Sequence, residues 1–435
     1  MTISKTSTIN NYIGKLSTPG EFAANVIRML SGNFFAQIIA FCAAPIISRL
    51  YTPDDFGAMT LILTCISVTS ILASLRYEQA IVLPKEDSDG KNLVILSMLL
   101  CLTISTSLAG TLLFIGKDIS RYVTQFHGRE DLILMIPLGI CVYGFLQCFT
   151  FWQARKKNFS AISWNQILIQ VPGAGTKIVA AGFIGSTAVW LVAGNIIGQL
   201  IAVAVLASIS FSQIFNTKTK TGIGHLMDVA SKYSDFPRFR AMNGFVNELS
   251  QNLPVFMLAY FFSNRVVGYF GLANSVLKKP VELFSQSMTN VFLQKIAESN
   301  ANGRGLKRSL QKATYGLAAV GIVPFAILMI SGKFLCVLIF GNSWATSGLY
   351  MQILVPWLFT LFINPPSTQV ILVKRKLKFN LYFDVVTIVL RAVALYVGAW
   401  LTTEPWVAIL LFSITSMLSN LFYIRYAFKI SESDI

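Results

Sequence analysis

Five basic side chains stand inside apolar runs, where an uncompensated charge is costly: Arg76, Lys177, Lys278, Lys279 and Arg391. In hydrocarbon such groups face a protein interior or a water-filled cavity, and the chemistry open to them there is to hold an anion. Arg391 makes the clearest case, because it lies twelve residues past Phe379, about 18 Å along a helix and close to the middle of a bilayer. Lys278 and Lys279 fall twelve and thirteen residues into the run Val266–Val291 and precede Pro280, which removes a helix hydrogen bond. Lys177 follows Pro172-Gly173-Ala174-Gly175, a stretch that predicts a break in its helix. Plainer uses compete with anion binding. Arg28, and with it Arg76 and Glu78, lies close enough to the end of a run to reach the headgroups, and Lys278 can pair with Glu282 one turn on.

Uncharged polar residues add to the pattern. Asn243, Asn247, Glu248, Gln251 and Asn252 give the run Asn243–Phe262 a polar face, suited to cargo or to hydrogen bonds between helices. Asp384 shares a face with Arg391 at i, i+7, so it reads as a proton or cation coupling site or as a charge at the helix end. Candidate cargo-binding residues are thus Arg391, Lys278, Lys279, Lys177, Arg76, Arg28, Asn247 and Gln251, and candidate ion-coupling carboxylates are Glu78, Glu248 and Asp384. The only histidines are His127 and His225, and the six cysteines have no C-x-x-C spacing, so neither a metal site nor a disulfide framework is expected. Walker, G-x-S-x-G and H-E-x-x-H motifs are missing. No catalytic residue or bound cofactor is expected, and a proton or sodium gradient stays open as the driving force. Trp152, Trp164, Trp190, Trp344, Trp400 and Trp406 lie near the ends of runs and suit an interfacial belt. Trp357, deeper and beside Pro356, reads as core packing ahead of stacking on a sugar.

The elements that must position these groups are membrane spans. Of the 435 residues 54% are hydrophobic and 12% charged, about half the charge of an ordinary soluble domain, and the mean hydropathy is +0.63. Apolar runs predict twelve spans: Val26–Ser48, Gly57–Leu83, Asn92–Ile115, Leu132–Trp152, Ser163–Ile184, Thr187–Phe211, Asn243–Phe262, Val266–Val291, Ala313–Ile330, Ser347–Val373, Phe379–Trp400 and Pro405–Ala427. Only Gly185 and Ser186 separate the fifth from the sixth, yet one helix over both would be about 73 Å long, more than twice the hydrocarbon thickness. The connection 212–242 divides the chain into halves at 26–211 and 243–427, flanked by tails at 1–25 and 428–435. An internal echo supports the division: Tyr51-Thr52-Pro53-Asp54-Asp55-Phe56-Gly57 follows the first span and Phe262-Ser263-Asn264-Arg265-Val266-Val267-Gly268 the seventh. Asn33 with Gln37 and Asn247 with Gln251 repeat an i, i+4 pair on the same two spans. The expected fold is an all-α polytopic membrane protein, twelve transmembrane helices in two six-helix bundles related by a pseudo-twofold repeat. Such paired halves place a transport site between them.

The net charge of +16 is an orientation signal. The tail and every second loop hold 24 Lys and Arg, against six in the alternate loops, which predicts both termini on the cytoplasmic side. That distribution removes nucleic acid as a partner. The polar start, Met1 to Phe22, reads as a cytoplasmic tail and not as a signal peptide.

Ser48-Arg49-Leu50-Tyr51-Thr52-Pro53-Asp54-Asp55-Phe56-Gly57 and Leu75-Arg76-Tyr77-Glu78-Gln79-Ala80-Ile81-Val82-Leu83-Pro84 resemble the start of bacterial polysaccharide translocases of the Wzx-like O-antigen flippase type. Asp235-Phe236-Pro237, Leu249-Ser250-Gln251-Asn252-Leu253-Pro254, Phe340-Gly341-Asn342-Ser343-Trp344, Gly348-Leu349-Tyr350 and Ile353-Leu354-Val355-Pro356-Trp357 follow in the same order. The resemblance runs from about Val26 to the C-terminus, within a superfamily that also holds multidrug exporters and the lipid II flippase. It implies a V-shaped pair of bundles in the bacterial inner membrane. By alternating access they would carry an undecaprenyl-pyrophosphate-linked oligosaccharide, with the prenyl tail in membrane lipid and a polysaccharide polymerase and chain-length machinery as partners. A drug or small-molecule exporter is the alternative. A membrane polymerase or ligase fits less well, because the longest expected periplasmic connection, Gly116 to Asp131, has about sixteen residues.

Overall fold

The computed structural model describes residues 19–122, 130–215, 222–301, 306–374 and 376–432, with side chains for most of them. Residues 1–18 of the expected N-terminal tail, 433–435 of the C-terminal one and the side chain of Arg28 lie outside the described residues. The long helices are α1 (Pro19–Leu50), α2 (Pro53–Ala73), α3 (Asp87–Tyr122), α4 (Glu130–Arg155), α5 (Phe159–Phe183), α6 (Ala188–Phe215), α7 (Met242–Phe261), α8 (Asn264–Ala301), α9 (Leu306–Phe340), α10 (Ala345–Ile363), α11 (Leu377–Leu401) and α12 (Pro405–Glu432). No strand occurs among the described residues. Among the described residues, nine of these helices are long and apolar enough to cross a membrane. The three that fall short are α5, α7 and α8, and they are the ones that carry Lys177, the Asn243–Asn252 polar face, and Lys278 with Lys279 and Glu282. Large apolar side chains such as Phe114, Phe183 and Ile330 are almost fully exposed on the outside, as a lipid-facing surface requires.

Short turns join α1 to α2, α5 to α6, α7 to α8, α9 to α10 and α11 to α12 on one face of the bundle, the hairpin face. The opposite tail face holds the end of α12 and a helix at Ile223–Lys232. The two halves meet chiefly where α2 packs on α8 and α7. At the hairpin face the contact is reciprocal. A Cβ on Gly57 would overlap the carbonyl of Asn264, and a Cβ on Gly268 would overlap the carbonyl of Pro53. Gly57 and Gly268 are the last residues of the two echoed heptapeptides, and Pro53 and Asn264 the third, so each copy uses the same pair of positions against the other. That is the signature of a twofold contact. The fourth residues pair as well, Arg265 Nε to Asp54 at 3.2 Å. Each copy starts its helix alike: Thr52 caps α2 in a capping box with Asp55, and Ser263 Oγ accepts from Val266 N at 3.4 Å. Around this seam Trp344 Nε1 donates to Ser48 O at 2.8 Å, and the Trp344 ring stands edge-on to Phe56 at 4.8 Å.

Several expectations change. Pro172 and its glycines do not break α5, which runs through them; Gly173, Gly194 and Gly198 instead bring α5 and α6 into backbone contact. The tenth span, expected as one run, divides at Asn364 into α10 and a nine-residue helix, Pro365–Val373, because Pro365 and Pro366 cannot continue the hydrogen-bond ladder. Trp152 and Trp344 are buried, with indole nitrogens donating to Gln213 Oε1 and Ser48 O, whereas Trp164 and Trp400 are exposed as a belt requires. The connection 212–242 is not a plain loop. Helix Ile223–Lys232 docks on the tail face through Tyr77 Oη to Ala230 O and Lys232 to Asp89, and a π-helical turn at Phe236–Ala241 leads into α7.

If the seam needs both glycines, Gly57→Val forces two backbones apart, and overpacking of this kind costs about 1–3 kcal/mol. Gly110 has open space around it. Thermal melting in detergent should show a clear drop for Gly57→Val and none for Gly110→Val.

Candidate functional site

A cavity of about 460 Å³ lies directly beneath the seam, between the halves, walled by α1, α2, α5, α6, α7 and α8. Lys177, Lys278, Lys279 and Glu282 line it together with Asn195 and Asn252. Lys177 comes from the N-terminal half and the other two lysines from the C-terminal half. The cavity therefore joins three ammonium groups and one carboxylate across the interface between them.

Local sequence explains how each charge is held. Tyr51, at the end of α1, donates its hydroxyl to the Lys177 carbonyl at 2.7 Å. Gly194 leaves the space that the Lys177 side chain fills. The ammonium then donates to Asn195 Oδ1 at 3.1 Å, while Asn195 Nδ2 is anchored on Leu191 O. On α8, Lys278 Nζ lies 3.6 Å from Glu282 Oε1, one turn on, and 3.5 Å from Gln251 Oε1 of α7. Lys279, next to Lys278 on α8, lines the same cavity as Lys177 from the opposite half. Ammonium groups gathered in one cavity suit a multiply charged anion, which charge-assisted hydrogen bonds would hold.

Arg391 does not join this group. It lines a second cavity of about 210 Å³ inside the C-terminal half, with Asn247, Gln251, Asp384, Trp357 and Asn364 among the walls. Only 5% exposed, its guanidinium donates to Ser416 Oγ at 3.0 Å and Ser250 Oγ at 3.4 Å and lies over the rings of Trp357 and Phe412. Gln251 bridges the two cavities, lining the second while accepting from Lys278 of the first.

Arg76 and Glu78 lie outside both cavities, in the turn that ends α2. Leu75 and Arg76 have φ of 51° and 63°, a left-handed pair that non-glycine residues seldom adopt. Arg76 Nη1 is 3.5 Å from Glu78 Oε1, and the buried Glu78 also accepts from Ser74 Oγ at 2.6 Å. The guanidinium abuts Gly244 of α7, so this turn touches the opposite half. Glu248 of α7 accepts from Asn252 Nδ2 at 3.0 Å. Sequence reasoning passed over Asn195, Tyr51 and Asn364. Asn195 could have been found as an amide, one turn before Gln199, in the middle of the otherwise apolar α6.

Two helical halves closing on a cationic cavity define a two-lobed all-helical membrane fold. Solved structures agree in fold. One, described as the inward-facing conformation of a multidrug resistance MATE family transporter of the MOP superfamily, is 13% identical with a TM-score of 0.73, covering 94% of this chain and 98% of that one. Another, the lipid II flippase MurJ in an inward closed conformation, is 12% identical with a TM-score of 0.73, covering 93% of this chain and 87% of that one. A Klebsiella pneumoniae protein described as an uncharacterized membrane protein in the cps region is 18% identical over 363 residues, 82% of this chain and 72% of the relative. Residues 46–348 match the family described as polysaccharide biosynthesis protein, and the chain belongs to that family.

Removing one ammonium from the inter-half cavity should remove a charge-assisted contact worth about 1.5–3 kcal/mol. Lys177→Gln and Lys278→Gln should each weaken binding of inorganic pyrophosphate to the purified protein about tenfold or more. Isothermal titration at low and high salt measures this.

Proposed function

We propose that the protein is a flippase for oligosaccharide linked to undecaprenyl pyrophosphate, serving an O-antigen or related surface polysaccharide. The observation that carries this reading is the inter-half cavity with Lys177 on one half and Lys278 and Lys279 on the other. A pyrophosphate cannot enter hydrocarbon bare, and these ammonium groups supply the counter-charge. Family membership in polysaccharide biosynthesis supports the cargo class, and so does the shared fold with a structure named as a lipid II flippase. A drug exporter would share the fold equally well. The cavity's excess of positive charge, however, repels an organic cation. Translocation by this route is non-enzymatic: the chain binds, reorients and releases.

In this reading the basic tail face is cytoplasmic, as the 24 to 6 distribution of Lys and Arg supports, and the protein sits in the bacterial inner membrane with both termini inside. Cargo enters from the tail face while the glycine seam closes the hairpin face. Release requires the Asp54–Arg265 and Trp344–Ser48 contacts to part. Glu78 and Glu248 are the carboxylates through which a proton or sodium gradient would act, whereas Asp384, the third expected coupling carboxylate, shares its cavity with Arg391. A polymerase and chain-length machinery would take the product.

Clean deletion of the gene should stop surface polysaccharide and cause lipid-linked units to accumulate on the cytoplasmic face. Extraction and chromatography of the lipid-linked pool reads this out, and normal surface polymer would overturn the reading. Complementation with Arg391→Ala should restore far less polymer than Arg391→Lys, which keeps the charge but loses the fork to Ser250 and Ser416. Membrane levels of the two variants should be equal by immunoblot.

A further inference from the structure

The cavity inside the C-terminal half has unmet hydrogen-bonding groups of both kinds. Trp357 is 2% exposed and its indole N–H is buried without an acceptor, while Asn364 Oδ1 is buried without a donor. Both residues line the cavity. The same wall carries one guanidinium and one carboxylate, Arg391 and Asp384, with no ion-pair partner for either among the described residues. Buried polar groups are normally satisfied, so the Trp357 N–H and the Asn364 oxygen each ask what is meant to meet them.

The mixture discriminates between ligands. A metal ion would find Asp384 and the Asn364 oxygen but would be repelled by Arg391 and leave the indole N–H unmet. A phosphate would find Arg391 and the indole but would face the Asp384 charge and leave the Asn364 oxygen unmet. A neutral group whose hydroxyls both donate and accept satisfies all of them at once. The volume, about 210 Å³, is roughly seven times the share of one liquid water, space for a single sugar ring. Trp357 cannot serve by stacking, since Arg391 covers its ring and Phe412 stands edge-on to it at 5.0 Å; its N–H is the part left to use. Gln251 ties this cavity to Lys278 of the inter-half site, which would put a sugar beside a pyrophosphate held by the lysines.

We propose that this cavity is a subsite for one neutral sugar ring of the cargo, held by Trp357, Asn364, Asp384 and Arg391. The proposal rests on the flippase reading and names which part of that cargo the C-terminal half recognises.

The test uses the purified full chain in lipid nanodiscs. The probes are the monosaccharides released by acid hydrolysis of the producing strain's own surface polysaccharide, read by saturation-transfer NMR. At least one sugar should bind in the ~millimolar range expected of a single ring. Trp357→Phe and Asp384→Asn should each weaken it about 3- to 10-fold, the worth of one hydrogen bond, with thermal melting unchanged. If Trp357→Phe does not fold, Asn364→Ser takes its place. No binding by any sugar, equal binding in the variants, or displacement of the sugar by phosphate or by sodium each overturns the proposal. Undecaprenyl pyrophosphate without sugar is titrated into the same samples. If it binds while no sugar does, only the subsite fails, whereas absence of both removes the flippase reading as well.

Discussion

Everything in this molecule hangs on a backbone contact that two glycines permit. Gly57 and Gly268 let the start of α2 and the start of α8 press together until each carbonyl lies where a methyl group would otherwise be. In a membrane there is no hydrophobic gain from bringing two apolar helices together, so close backbone approach and the contacts it allows must hold the halves. The capped helix starts, the Asp54–Arg265 pair and the Trp344 indole surround the glycines and close that end of the protein. The cavity exists because the halves diverge from this point.

Charge placement complements that geometry. Lys177 rides on one half and Lys278 with Lys279 on the other, and all three line the cavity between them. In the proposed function an anion between them would tie the two halves together, so empty and loaded states would differ in the energy of the interface that has to rearrange. Charges placed on one half alone would bind an anion equally well and report nothing to the hinge. The left-handed turn at Leu75 and Arg76, in contact with Gly244 of α7, is a second point at which the halves meet, at the other end of α2.

Much of the fold was legible in the residues. Apolar runs located the long helices but not their ends, since Leu83 was expected to close a helix that stops at Ala73 and Ile330 one that runs on to Phe340, and the echoed heptapeptides marked the twofold relation because the same glycine does the same job twice. The failures have physical causes. Pro172 with its glycines looked like a helix break, but glycine also serves close packing, and its neighbour's Gly194 and Gly198, on a different helix, decide which use prevails. Pro365-Pro366 carried a plain stop signal that the apolar run around it concealed. For the site, lysines at mid-depth were evident, yet their partition was not. Arg391 and Lys278 lie at similar depth along their helices, and only the packing of α7, α10 and α12 around α11 separates one cavity from the other. Trp357's unmet N–H is likewise a property of its neighbours and has no trace in its own sequence position.

The three helices that miss the apolarity of a membrane span, α5, α7 and α8, are also walls of the inter-half cavity. This has a consequence for how the chain is made. A segment carrying lysines or several amides partitions poorly from the insertion machinery into lipid by itself, and gains stability only once a neighbour covers its polar face. α5 is joined to the strongly apolar α6 by a turn of a few residues, 184–187, and can enter as a pair with it. α7 and α8 are both poor and adjacent, and must wait for α2 of the half already in place. Insertion therefore depends on the same polar residues that line the cavity, and the order of synthesis, N-terminal half first, supplies the template on which the second half can be inserted.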